Sequence, residues 1–252
     1  MSDPRTTDAP ARPAGPGRPR RRRRWIALAV LVVVAVLVVV LVAVMGPRLY
    51  AQVQGGRAAA PLATAAPAPT ATGPATDAAL EGAWTITDGG TAGYRVEEVL
   101  NGQDVTVTGR TDQVTGDLTV EGGRLTAGTV SVDLASVRTD SGARDDRFRS
   151  SAIVDVERFP TADFTLTSPV PLGGLDVGAT IAVQLTGTLT LKGTTRDVSV
   201  PATVQRAAEQ AVTVTGSLPV TWSDHGVQAP DLGFVAVEDT GTIEFSVPAV
   251  PA

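Results

Sequence analysis

From Trp84 onward the chain alternates apolar and polar positions with a period of two. In "TIAVQLTGTLTLKG", Ile181, Val183, Leu185, Gly187, Leu189 and Leu191 share one face. Thr180, Ala182, Gln184, Thr186, Thr188 and Thr190 take the other. "AVTVTGSLPVTW" repeats the pattern with Val212, Val214, Gly216, Leu218, Val220 and Trp222. "TVSVDL", "DVSVPATV" and "GTIEFSV" follow it. Thr, Val and Ile fill half-buried strands well. Glycine-bearing turns ("VEGGRL", "LGGLDVG", "LKGTTRD") separate the runs. The pattern predicts about eight or nine antiparallel strands, each with one wet face, and no long amphipathic helix. Gly109, Gly187 and Gly216 fall mid-strand on the apolar face. A glycine there permits bending or the close approach of another group. Long, bent strands lean toward a closed barrel, which at about eight strands holds one small ligand. The pattern alone leaves a sandwich open as well.

The alternation breaks at "SGARDDRFRSSAIVDVERFPTADFTL", residues 141–166. Asp145 and Asp146 are favoured N-cap types. A short helical turn from there puts Phe148 and Ala152 on one face. Asp155 starts a second turn, which ends at Phe159-Pro160 because a residue before proline avoids the helical region. The segment reads as a helical crossover between two strands. Arg144, Arg147, Arg149 and Arg158 stand ready to pair with Asp145, Asp146, Asp155 and Glu157. Its simplest reading is a solvated, charge-laced connection; the sharper one is a rim that closes a ligand cavity.

A second pattern lies upstream. Trp25 to Met45 is an unbroken apolar run. As a helix it extends about 31 Å, close to the hydrocarbon thickness of a bilayer. Arg20 to Arg24 stand directly before it. The positive-inside rule then keeps the N-terminus in the cytoplasm and places the rest across the membrane. A cleaved signal peptide is the competing reading, but the run is long for one and Met45-Gly46-Pro47-Arg48 is a poor cleavage site. The expected organisation is a basic cytoplasmic tail (1–24), a transmembrane helix (25–45), an Ala/Pro/Thr-rich linker (46–79) and a β domain (80–252). The linker lacks the apolar content to pack and reads as a loose tether spanning on the order of 30 Å.

Charge narrows the function. Residues 1–24 hold eight Arg and two acids, whereas Asp77 to Ala252 hold twenty-four acids against eleven bases. An acidic domain argues against nucleic acid, which needs a basic footprint. The absence of cysteine excludes thiolate catalysis, cysteine-based zinc sites and disulfides. His225 is the lone histidine. Asp224 beside it would face the other way on a strand, so no catalytic set assembles around it. The acid pairs Glu97-Glu98, Asp145-Asp146 and Glu238-Asp239 are sequence neighbours and diverge. No EF-hand spacing, histidine cluster or phosphate-loop spacing around Lys192 is present. No enzyme, cofactor or metal is expected. The aromatics of the domain, Phe245 among them, are more often core than ligand wall.

Several blocks, in order, carry a resemblance. Trp84 precedes "AGYRVEEVL"; then come "VTVTGRTDQVTGDLTV", a "VDLASVRTD" strand running into the crossover and "FPTADFTLTS", "LTGTLTLKGTTRDVSVPATV", and late in the chain "DHGVQAP". In this order they resemble the YceI-like family of polyisoprenoid-binding, lipocalin-like proteins, over about residues 82–248. The resemblance implies an all-β antiparallel lipocalin-like barrel with an apolar pore for an isoprenoid-like lipid, in an exported protein. The pore-lining candidates are then Trp84, Tyr94, Val132, Phe148, Phe159, Phe164, Leu185, Leu189, Val214, Leu218, Trp222 and Phe234. Four positions depart from the family pattern. Ala92-Gly93 replaces a frequent His-Ser, Arg147 replaces a histidine, and His225 replaces an aromatic. Polar head-group contacts are therefore not carried onto these positions; the apolar pore is. The expected function is a membrane-anchored, extracytoplasmic protein that sequesters or carries such a lipid. A tethered envelope module without lipid is the alternative, and a carboxylate hydrolase a distant third.

Overall fold

The computed structural model describes residues 34–41, 45, 59–62, 70, 71, 73, 74, 78–100, 102–231, 233 and 235–252. The expected tail, most of the expected membrane helix and linker, and Phe234 lie outside the described residues. Residues 34–41 are helical. Among the described residues, no helix is long and apolar enough to cross a membrane.

Eleven strand segments build the domain: β1 (Gly82–Ile86), β2 (Thr91–Leu100), β3 (Gln103–Thr111), β4 (Val114–Glu121), β5 (Arg124–Asp133), β6 (Thr161–Leu166), β7 (Val170–Pro171), β8 (Thr180–Leu191), β9 (Thr194–Ala208), β10 (Ala211–Thr221) and β11 (Val235–Pro251). Several are halves of one interrupted strand. β1 and β2 both run antiparallel to β11, at Trp84↔Pro251 and Tyr94↔Ile243. β3 and β4 continue each other beside them, and β6 and β7 both flank β5. The segments thus merge into an eight-stranded antiparallel barrel, closed where β11 meets β1. Closure removes the exposed edges that a sandwich retains.

The mid-strand glycines act by close approach. A β-carbon on Gly216 would stand 2.4 Å from Phe245 Cζ, and one on Gly187 2.6 Å from Phe164 Cζ. At each site an aromatic ring occupies the space that a side chain would fill.

The largest core cluster fills one end of the barrel. Leu80, Trp84, Val120, Leu175, Ile181, Val204 and Ala249 belong to it. Trp84 is 2% exposed, and its indole Nε1 donates to Leu80 O at 3.0 Å. Arg206 is wholly buried at this end and donates to Leu175 O and Glu209 O at 3.2 and 3.0 Å.

Two pieces of the expected loose tether are docked on the barrel. Thr70 bridges Ala182 in parallel, Ala71 N donates to Ala182 O at 3.0 Å, and Ala71 joins the core. Residues 59–62 cross the outer face of β2, β3 and β11. There Arg95 Nη2 donates to Ala59 O at 2.6 Å, Arg110 Nη2 to Ala60 O, and Glu244 accepts from Leu62 N at 3.3 Å. Glu244 also pairs with Arg95 and Arg110. These contacts are largely backbone ones, so a segment poor in large apolar side chains packs regardless.

The crossover also differs in detail. Helix α1 spans Gly142–Arg149 with Ser141 as its N-cap, so it starts before the acids that were expected to cap it. Asp145 lies inside the helix, buried, and accepts from Thr139 N and Thr139 Oγ1 at 2.8 and 2.7 Å. Ala152 is exposed and shares no face with Phe148. Asp155 adopts a left-handed backbone (φ 56), and Phe159 N bonds back to Asp155 O at 2.8 Å. Two of the expected pairs form, Arg149 with Asp146 and Arg158 with Asp155, whereas Arg144 reaches Asp140 and Glu98 instead.

Candidate ligand cavity at one end of the barrel

At the end opposite Arg206 the barrel is not filled. A cavity of about 480 Å³ lies there, within the size range of small-ligand sites. Its walls come from β2, from the ends of β5, β6 and β8, from Trp222 just after β10 and from β11 between Val235 and Ile243. The crossover and the loop Val227–Pro230 cover it.

The wall follows from the parity of β2. Ala92, Tyr94, Val96, Glu98 and Leu100 share the inward parity and line the cavity, while Arg95 and Glu97 take the other. Across from them stand Val132, Ala162, Leu191 and Ile243. These are modest side chains, and the small ones at Ala92 and Ala162 leave the lumen open. The crossover contributes Leu134, Val137, Phe148, Ile153 and Val154.

The crossover is fixed in place by polar contacts outside the cavity. Arg110 and Arg138 exchange backbone hydrogen bonds at 2.9 Å, tying the edge of β3 to the start of the crossover. Asp133 Oδ1 accepts from Ala135 N at 2.8 Å and opens a single helical turn at Leu134–Ser136. Asp145, held by Thr139, then orients α1 so that Phe148 faces inward.

Three aromatic rings meet on the wall. Phe148 stacks on Tyr94 at 5.3 Å between centroids, and Trp222 meets Tyr94 edge-on at 6.3 Å. Tyr94 lies on Gly109, where a β-carbon would stand 2.3 Å from Tyr94 Cε1, and Trp222 lies similarly on Gly241. Burial pushes the Tyr94 phenol up to about 12, so it stays a protonated donor across the physiological range.

The polar groups on this wall are few: Glu98, Ser141, Arg144, Arg147, Gln228 and the Tyr94 hydroxyl. Glu98 is 6% exposed. His225 stands apart from the cavity, buried in the turn Trp222–His225; burial lowers its pKa, with Arg196 adding to the effect. Among the described residues, no group of His, Asp or Glu is arranged to hold a metal ion.

The structure separates the candidates for a pore lining. Tyr94, Val132, Phe148 and Trp222 come together on the cavity wall. Trp84, Leu185, Leu189 and Leu218 sit in the packed core, with Phe164 and Val214 against it. Phe159 lies away from the cavity, against Gly193 and under the Arg158 guanidinium. Sequence reasoning missed Glu98, Arg144, Gln228 and, beside Phe148, the apolar residues Leu134, Val137, Ile153 and Val154. Parity along β2 carried the signal for Glu98, since it falls in step with Tyr94, Val96 and Leu100.

Comparison with known proteins places this geometry. The model of the YceI-like domain matches residues 84–249. Among solved structures, the chain is similar to a polyisoprenoid binding domain from Saccharophagus degradans implicated in plant cell wall breakdown. The identity is 20%, covering 68% of this chain and 100% of that one, with a TM-score of 0.57. It is also similar to Burkholderia cenocepacia BcnA, at 24% identity over 62% of this chain and 95% of that one, with a TM-score of 0.49. No curated protein sequence matches.

Proposed function

The chain belongs to the YceI-like family, and on that footing we propose that its barrel sequesters or carries an isoprenoid-like lipid in the apolar cavity beneath the crossover. One observation carries the reading. Inward-facing residues pack solidly at one end of the barrel and leave about 480 Å³ unfilled at the other. Burial of an apolar chain contributes about 0.8 kcal/mol per methylene-sized group, and a preformed cavity lowers the ordering cost. At roughly 30 Å³ per water-sized group, the cavity holds about sixteen such groups, or three five-carbon isoprene units and a small head. Binding needs no covalent step.

The protein is anchored by residues 25–45, with the tail in the cytoplasm and the barrel outside it. This part of the reading rests on the apolar run Trp25 to Met45 and on Arg20 to Arg24 before it. Since residues 59–62 are docked, only residues 46–58 separate the anchor from the first docked segment along the chain. The barrel therefore works close to the membrane that holds its anchor. The second reading, an envelope module without lipid, draws on the packed half of the interior.

The test is mass spectrometry of an organic extract of the full chain purified in detergent. Isoprenoid lipid at near one per protein is expected. None, even after incubation with farnesol, would leave the module reading. Protease protection in spheroplasts tests the anchor: residues 80–252 are expected to be digested from outside.

A further inference from the structure

We propose that the cavity selects its lipid by an uncharged, hydrogen-bond-donating head group, an alcohol or phenol hydroxyl, seated between Glu98 and Arg144. This rests on the lipid-cavity reading above and adds the chemistry of the polar end.

Glu98 is the anomaly of the cavity. Its cross-strand partners are Val105 and Val237, both apolar. Its one cationic neighbour among the described residues, Arg144 Nη2, is 3.8 Å from Oε1, beyond hydrogen-bond range. Arg144 meanwhile donates through Nη1 to Asp140 at 2.6 Å. Among the described residues the Glu98 carboxylate therefore accepts no hydrogen bond. A buried carboxylate left so costs stability, and an ion pair kept for stability closes to a short, often bidentate contact. The buried charge at the other end, Arg206, is bonded to backbone carbonyls. Glu98 thus lacks a donor that the protein does not supply, on a wall where an apolar ligand would lie.

The surroundings choose the donor. An anionic head would stand beside a buried carboxylate, with Arg144 already shared between Glu98 and Asp140. Arg147 also reaches the rim, but it is exposed, and water and salt weaken its pull relative to that of a buried group. A cationic head satisfies Glu98 but offers no lone pair to Arg144. A hydroxyl does both: it donates one hydrogen and accepts through its oxygen. Glu98 lies two residues from the end of β2, so the head sits near the rim and the chain runs inward past Val96 and Tyr94.

The experiment measures binding of farnesol, farnesyl methyl ether and farnesyl diphosphate to the full chain in detergent, for wild type and for Glu98→Gln. Wild type is expected to prefer farnesol over each of the others by about tenfold or more, because a buried polar group left unpaired discriminates at that level. Glu98→Gln is expected to narrow the gap to the diphosphate by about tenfold. Wild-type binding of the ether or the diphosphate as tight as that of farnesol would overturn the inference while leaving the lipid cavity standing. The wild-type arm decides even if the variant fails to fold. Binding of none of the three would overturn the cavity reading and this inference with it.

Discussion

The two ends of this barrel are built on the same alternation and come out differently. At the packed end Trp84, Leu80, Ile181 and Val204 fill the lumen, the Trp84 indole donates to Leu80 O, and Arg206 donates to Leu175 O and Glu209 O. At the open end small and medium side chains line a void, and neither Glu98 nor the Tyr94 hydroxyl has a hydrogen-bond partner among the described residues. Period-two patterning decides which face turns inward. It does not decide whether the inside is full. Side-chain volume and ring placement settle that. Tyr94 and Trp222 lie back on Gly109 and Gly241, against the wall, instead of crossing the lumen. A ligand entering the void can complete Glu98, whereas the packed end leaves no room for one.

The largest effect expected from this contrast is on stability. Trp84→Ala removes a fully packed side chain and is expected to cost about 3–5 kcal/mol in denaturant unfolding. Phe148→Ala, at the edge of a void, is expected to cost less than half as much, because much of its surround is already empty. Equal losses would break the comparison.

Glycine variants sharpen it. Gly216→Ala drives a β-carbon into the Phe245 ring and is expected to cost about 1–3 kcal/mol in thermal or urea unfolding. Gly109→Ala pushes Tyr94 toward free space, so its stability cost is smaller and its main effect is weaker lipid binding. A smaller change follows from Ala162→Phe, which fills part of the cavity. Stability is expected to hold or rise by about 0.5–2 kcal/mol while farnesol binding falls. A variant that binds farnesol as before would show that the ligand lies elsewhere.

The smallest effect concerns His225. Burial lowers its pKa in the folded chain below the usual 6.5. The unfolded chain then takes up the proton first, so this contribution to stability is present above pH 6.5 and is lost as pH falls toward the folded value. Unfolding midpoints compared across pH 5–8 are expected to show this slope in wild type and a shallower one in His225→Gln. Parallel slopes would remove His225 from the account.

Much of the fold was legible in the chain. The alternation at 180–191 and 211–222 gave inward faces that the structure keeps, and the break at 141–166 marked the crossover. Height along the barrel axis was not legible. Leu185, Leu189 and Leu218 share their inward parity with residues that reach the cavity, yet they lie lower, in the core, and only the register of neighbouring strands reveals this. Glu97 and Glu98 read as divergent neighbours, but which of them turns inward emerged only when the parity of β2 was tied to the barrel. The docking of residues 59–62 and of Thr70 and Ala71 was invisible for another reason. It is made largely by backbone groups and by Arg95, Arg110 and Glu244 from distant strands, so the segment's own side chains carry little signal.

Tryptophan quenching tests the division of the barrel most directly. Trp222 borders the cavity and Trp84 lies in the packed end, so in a Trp25→Phe background a bound 11-bromoundecan-1-ol, small enough for the cavity, reports on both. Saturable quenching that survives Trp84→Phe and disappears with Trp222→Phe is the predicted result. Quenching that follows Trp84 instead, or none at saturating probe, would contradict a barrel that is solid at one end and receptive at the other.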